Sequence, residues 1–135
     1  MTNGNGFLDE VYKELCTSKE LMKVLGNPKS AKERNEKIHR LRTPLDYAVA
    51  ENLNFISIHI SSATVTENRY VSRAFLHIDY YAKSRTDAVK MQNIVRVIMN
   101  DKFNIESESG YDAGSYTKGI VHFHDTYRPL IHNNF

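Results

Sequence analysis

Two hydrophobic periodicities alternate in blocks along this chain. Near the amino terminus Leu8, Val11, Tyr12 and Leu15 recur at the three- and four-residue spacing of an amphipathic helix. Thr17 stands three residues ahead of Glu20, a capping-box pattern that predicts a second, short helix with Leu21, Met22, Val24 and Leu25 on its apolar side. Gly26 followed by Asn27 and Pro28 predicts a sharp stop. Glycine takes the left-handed conformation past a helix end, and proline cannot continue the helix. Positions 29–42 then carry six lysines and arginines, His39, Glu33 and Glu36, with only Ala31, Ile38 and Leu41 to face a core. This stretch reads as a charged loop or insertion over 29–44, with room for some helix, ending at Thr43 and Pro44. Positions 47–53 fit either a brief helix or a lead-in to a strand.

From position 55 the period changes to two. Ile56, Ile58 and Ile60 share one face of a strand, and Phe55, Ser57 and His59 share the other. A polar stretch over 61–68 leads into a longer strand over 69–81. There Tyr70, Ala74, Leu76, Ile78 and Tyr80 outline an apolar face. Arg73, His77 and Asp79 lie opposite, among Val71, Phe75 and Tyr81. Ser84, three residues before Asp87, opens the best helix of the chain. Its inner stripe is Met91, Ile94, Val95 and Ile98, reinforced by Ala88 and Met99, with Lys90, Gln92, Asn93 and Arg96 left for the outside. A weak strand at 105–108 and a loop over 110–119 follow. The last strand, 120–127, alternates Val121, Phe123, Asp125 and Tyr127 with Ile120, His122, His124 and Thr126, and 128–135 reads as a tail. Helices laid on one face of hairpin-connected strands make an α+β two-layer sandwich. The expected sheet is mainly antiparallel, of about four strands, with the long helix 86–100 and the N-terminal helix on one face. Positions 1–135 read as one such domain.

Composition narrows the function classes. At 135 residues the chain is long enough to bury a core, since a domain near this size hides roughly two-thirds of its unfolded surface. A net charge of +2 is too small for the concentrated basic face of a nucleic-acid binder. In the charged stretch no aromatic interleaves with the cations, so a stacking platform for single strands is missing as well. Cys16 is the single cysteine, which precludes an intramolecular disulfide, and no apolar run is long enough to span a membrane. Positions 1–6 lack the apolar core of a signal peptide, so the expectation is the cytosol, or a particle assembled there.

Candidate chemistry is sparse. His122 and His124 form an H-x-H pair on one strand face, and His59 and His77 also lie on strands. Two imidazoles from one strand can face one ion, but a closed site needs a third or fourth ligand. The pattern equally suits half-exposed sheet positions, so no metal and no cofactor are expected. Cys16, beside Leu15 on an amphipathic helix, reads as a structural thiol. Asp79 and Asp125 can face each other across neighbouring strands, though isolated carboxylate pairs are usually surface residues. No nucleophile elbow, phosphate-binding glycine loop or dinucleotide fingerprint occurs, so the chain reads as a protein that is not an enzyme. Eight tyrosines and six phenylalanines without a tryptophan, several on the less apolar strand faces, suit a protein that works through interfaces.

The amphipathic helix followed by 18–26 (SKELMKVLG) resembles the opening of the tail terminator and tail-to-head joining proteins of long-tailed bacteriophages. In that family a variable segment then leads to a proline, a place Pro44 can fill. A strand like 55–60, a strand running into a long helix like 75–99, and a closing strand like 119–125 (GIVHFHD) complete the likeness. The resemblance implies a structural virion protein assembled in the host cytoplasm. It implies a homo-oligomer, a hexameric ring when assembled, with the phage tail tube protein and a head connector or stopper protein as partners. No membrane and no specific nucleic acid are implied. By position, the segments 61–68 and 106–118 are the candidate contacts. They nominate Arg69, Arg73, Glu106, Glu108, Tyr111, Tyr116 and Lys118, with Phe75 and Tyr81 as candidate interface aromatics. The rival expectation is a small cellular adaptor domain that binds protein without forming a ring.

Overall fold

The computed structural model describes residues 4–40, 53–65, 71–112 and 119–132. Helix α1 (Gly4–Thr17) is followed by α2 (Lys19–Val24), α3 (Ala31–Lys37) and strand β1 (Ile38–His39). Strands β2 (Phe55–Val65) and β3 (Val71–Ala82) lead to the long helix α4 (Arg85–Phe103), and β4 (Ser109–Asp112), β5 (Val121–Tyr127) and β6 (Leu130–His132) close the chain. The fold class is α+β. The described strands form one six-stranded sheet in the order β1-β2-β3-β5-β4, with β6 beside β3. All pairings are antiparallel except β1 with β2.

The helices begin where short polar side chains satisfy their first amides. Ser84 Oγ accepts the Asp87 amide at 3.2 Å, as its spacing predicts. The cap of α2 is Ser18 rather than Thr17: Ser18 Oγ accepts from the Leu21 amide, while the Thr17 hydroxyl donates back to the Glu14 carbonyl at the end of α1. Gly26 ends α2 with φ of +93°, the left-handed backbone that its stop signal anticipates.

One apolar cluster joins the layers. It contains Phe7, Val11 and Leu15 of α1, Leu21 and Leu25 around α2, and Ala88, Met91, Val95 and Met99 of α4. From the sheet it takes Ile56, Ile58, Ala74, Leu76, Ile78, Tyr80, Phe123 and Tyr127, the face that the alternation picks out. Asn54 pins the assembly at one end. Its side-chain amide donates to the Val24 carbonyl and to the Asp87 carboxylate, and its oxygen accepts the Lys83 amide.

Several segments differ from the sequence pattern. The supposed charged loop at 29–44 holds α3 and β1, with 41–44 outside the described residues. Ser30 caps α3 by accepting from the Glu33 amide, and Glu33 in turn accepts from the Lys29 amide. Ile38 is fully buried, pairing in parallel with Ile56. The segment folds back onto α1: Arg40 pairs with Asp9 at 2.9 Å and lies over the Tyr12 ring, whose hydroxyl donates to Asn35. Strand β2 runs on to Val65, through half of what read as the 61–68 link. The weak strand lies at Ser109–Asp112, not 105–108, and takes part of the supposed 110–119 loop. Part of the C-terminal tail is β6, which extends the ladder of β3 where β5 ends, and the Pro129 carbonyl between them accepts the Ala74 amide. Among the described residues the sheet therefore takes in six strands, three of them of four residues or fewer.

Candidate functional site

The register of the three longest strands sets out the side chains of the sheet's second face in rows. Phe55, Tyr81 and His122 form one row, Ser57, Asp79 and His124 the next, and His59, His77 and Thr126 the third. Ser61, opposite Phe75, begins a fourth. Period-two alternation puts all of these on the side away from the helix-facing cluster.

In the first row the rings stack. Tyr81 lies against Phe55 at 4.6 Å between centroids and against His122 at 4.3 Å. Phe55, with Leu53 and Ile120, forms a small buried cluster of its own on which Tyr81 packs. Burial, with the Asp79 charge adding to it, pushes the Tyr81 phenol up to about 12.

The middle rows carry a polar network. One Asp79 carboxylate oxygen accepts from His122 Nε2 at 2.8 Å and from His124 Nδ1 at 2.6 Å. Burial alone would raise the Asp79 pKa, but the two imidazole hydrogen bonds and the positive charge of those rings outweigh it. They hold the carboxyl well below the usual carboxylate range. His124 Nε2 lies 3.2 Å from His77 Nδ1 and 3.1 Å from the Thr126 hydroxyl. His77 Nε2 lies 2.6 Å from Ser61 Oγ, and the His77 ring stacks on His59 at 4.8 Å. The network is largely withdrawn from solvent, with Asp79, His124 and His122 exposed by 14%, 12% and 22%.

Donor and acceptor roles follow from Asp79, which as a carboxylate only accepts. His124 Nδ1 therefore carries a proton, and whenever the ring is neutral its Nε2 is the acceptor. His77 then donates from Nδ1, which leaves its Nε2 to accept the Ser61 hydroxyl. With neutral rings the hydrogen bonds run from Ser61 on β2 through His77 on β3 to His124 on β5, and back to Asp79 on β3. Although four imidazoles converge, among the described residues no group of three or more His, Cys, Asp or Glu side chains is arranged to hold a metal ion.

Asp125 lies on the opposite face from Asp79, so the two carboxylates do not meet: Asp79 pairs with His124, and Asp125 with Ile78. Asp125 is fully buried and is no surface residue. Arg96 binds it with two nitrogens at 2.7 and 3.1 Å, Gln92 donates at 3.0 Å and the Tyr80 hydroxyl at 3.1 Å. Burial first, then the Asp125 charge, raises the Tyr80 phenol far above its ordinary range. Gln92 and Arg96, which the helix pattern assigns to the outside, thus face inward to meet a charge. Beside them Gly110 of β4 comes so close that a Cβ there would collide with the Arg96 guanidinium and the Asp125 carboxylate.

The nominated interface residues fall on three parts of the chain. Phe75 and Tyr81 are half-buried on the second sheet face, and the Arg128 guanidinium lies 5.3 Å from the Phe75 ring centre. Glu106 and Glu108 are exposed, Glu108 standing 3.6 Å from Arg128. Arg73 and Tyr111 are placed by register, opposite Thr64 and His124, on β3 and β4. Arg69, Tyr116 and Lys118 lie outside the described residues. Cys16 is half-buried, and burial pushes its thiol up, as suits a structural cysteine. Among the described residues no helix is long and apolar enough to cross a membrane. No protein-family model matches the chain, and no curated protein matches its sequence.

Proposed function

We propose that this protein is a structural virion subunit of the tail terminator and tail-to-head joining kind. In this reading it assembles as a hexameric ring on the end of a phage tail tube and presents a surface to the head connector or stopper. The observation that carries the reading is the edge of the sheet within the nominated 106–118 segment. There β4 is a four-residue strand that, among the described residues, pairs on one side only, with β5. A strand edge offers unpaired amides and carbonyls to a neighbouring chain, the cheapest way for identical subunits to join side to side. The order of elements adds support: two helices, a pair of long strands, a long helix and a closing strand match the arrangement the resemblance implies.

The test is assembly. Mass photometry across a concentration series, alone and with purified tail tubes, is expected to reveal a ring-sized species. Deletion of the gene from the phage that encodes it should leave separate heads and overlong or unjoined tails in electron micrographs. A chain that stays monomeric with tail tubes, together with normal virions after deletion, overturns the proposal.

A further inference from the structure

The hydrogen-bonded chain on the second sheet face ends on a hydroxyl, and that end has the parts of an activated nucleophile. Ser61 Oγ lies 2.6 Å from His77 Nε2, within the reach a general base needs to take the hydroxyl proton. His77 is oriented in turn by His124 at 3.2 Å, and His124 by the Asp79 carboxylate at 2.6 Å. The logic is that of a serine–histidine–carboxylate triad with a second imidazole between base and carboxylate. With the Asp79 carboxylate accepting from His124, neutral rings take the tautomers in which His77 Nε2 accepts the Ser61 hydroxyl.

A second observation falls on the same residue. The β2–β3 register breaks immediately after Ser61: Ser61 pairs with Phe75, but Thr64 pairs with Arg73. Positions 62 and 63 therefore stand opposite position 74 alone, a β-bulge. Bulges re-aim side chains, free backbone amides from the ladder, and are over-represented beside active sites. Backbone amides at a bulge are the kind of donor that an oxyanion needs. Arg128, with its guanidinium over the ring of Phe75 and 3.6 Å from Glu108, lies at the same end of the sheet.

We propose that Ser61 is a nucleophile for acyl transfer, with His77 as its general base and His124 and Asp79 as positioning residues. The substrate class is a small ester with a good leaving group. Ser61 Oγ attacks the carbonyl carbon and its proton passes to His77 Nε2. The bond from that carbon to the leaving oxygen breaks, and the leaving group departs with the bonding pair and takes up the proton. Water then attacks the acyl-serine while His77 receives its proton and returns it to Ser61 Oγ. This activity is independent of ring assembly, so either proposal stands if the other fails.

The test uses the full-length chain and p-nitrophenyl acetate. We expect a stoichiometric burst of nitrophenolate, with one acetyl group mapped by mass spectrometry to Ser61. The burst is lost in Ser61→Ala, is slower by about a hundredfold or more in His77→Ala, and persists in Cys16→Ala, which removes the competing thiol. In Asp79→Asn the burst rate falls and the midpoint of its pH profile moves to lower pH, because the base loses the negative charge that favours its protonated form. A merely structural Asp79 would leave that midpoint in place. An unacetylated Ser61 in the wild-type chain overturns the proposal whatever the variants do, as does acetylation at an equal rate in a folded His77→Ala.

Discussion

Two carboxylates of this protein, Asp79 and Asp125, are withdrawn from solvent by opposite means. Asp79 is held by imidazoles, whose charge varies with pH, and its pKa is depressed in the folded state. A depressed carboxylate contributes stability that is present above the unfolded value of about 3.9. That contribution is lost as pH falls from there through the folded value. Asp79→Asn is accordingly expected to flatten the fall of melting temperature below about pH 4, read by calorimetry from pH 7 to 2. An acid limb as steep as that of the wild type would contradict the assignment. Asp125 is held by a guanidinium that is charged at every working pH. Its own exposure is 0%, against 40% for Arg96. Arg96→Ala leaves a buried charge with Gln92 and Tyr80 as its partners among the described residues. We expect a loss of about 3 kcal/mol, the low end for breaking a buried pair, since Arg96 is partly solvated and two donors remain. Gly110→Ala drives a methyl group between the same two partners and is expected to lower stability by about 1–3 kcal/mol. Urea midpoints at an unchanged denaturant slope check both.

At the scale of elements, α4 shows which local signals are strong enough to be read in advance. Its start at Ser84 is legible because a serine three residues before an aspartate satisfies a free amide locally. Ser84→Ala should cost about 1 kcal/mol by thermal melt. Its end at Asn104, in the left-handed conformation with φ of +55°, passes unnoticed because asparagine is a weaker marker of that conformation than glycine. Helix α3 had a readable cap in Ser30 and Glu33, but the absence of an apolar stripe hid it. That helix has no buried residue, and the core contact is made by Ile38 just beyond it. Strands β1, β4 and β6 have two, four and three residues. Runs this short carry too few alternations to show a period, and they exist because a neighbouring ladder extends them.

At the scale of the whole molecule, one face of the sheet shares an apolar cluster with residues of α1, α2 and α4, while the other carries stacked rings and a hydrogen-bond chain. If the chain works as a ring subunit, charge reversal at Arg69 and Arg73 should weaken assembly and leave monomer stability unchanged. Particle mass and a melt of the same sample measure the two. Unchanged assembly in both variants would count against a contact at that end of β3.

The periods of two and 3.6 determined the α+β class, the long strands, helices α1 and α4, and which residues of β2, β3 and β5 make the core. All of these follow from neighbours within one turn or one pleat. Only the tertiary structure decided that Gln92 and Arg96 turn inward, because the charge they answer sits on another element 29 or more residues away. The same holds for the path from Ser61 through His77 and His124 to Asp79. Each residue is legible as a polar position on a strand, but their meeting depends on strand order and register. Register is set by burial of the opposite face across the whole sheet, a property no local window contains.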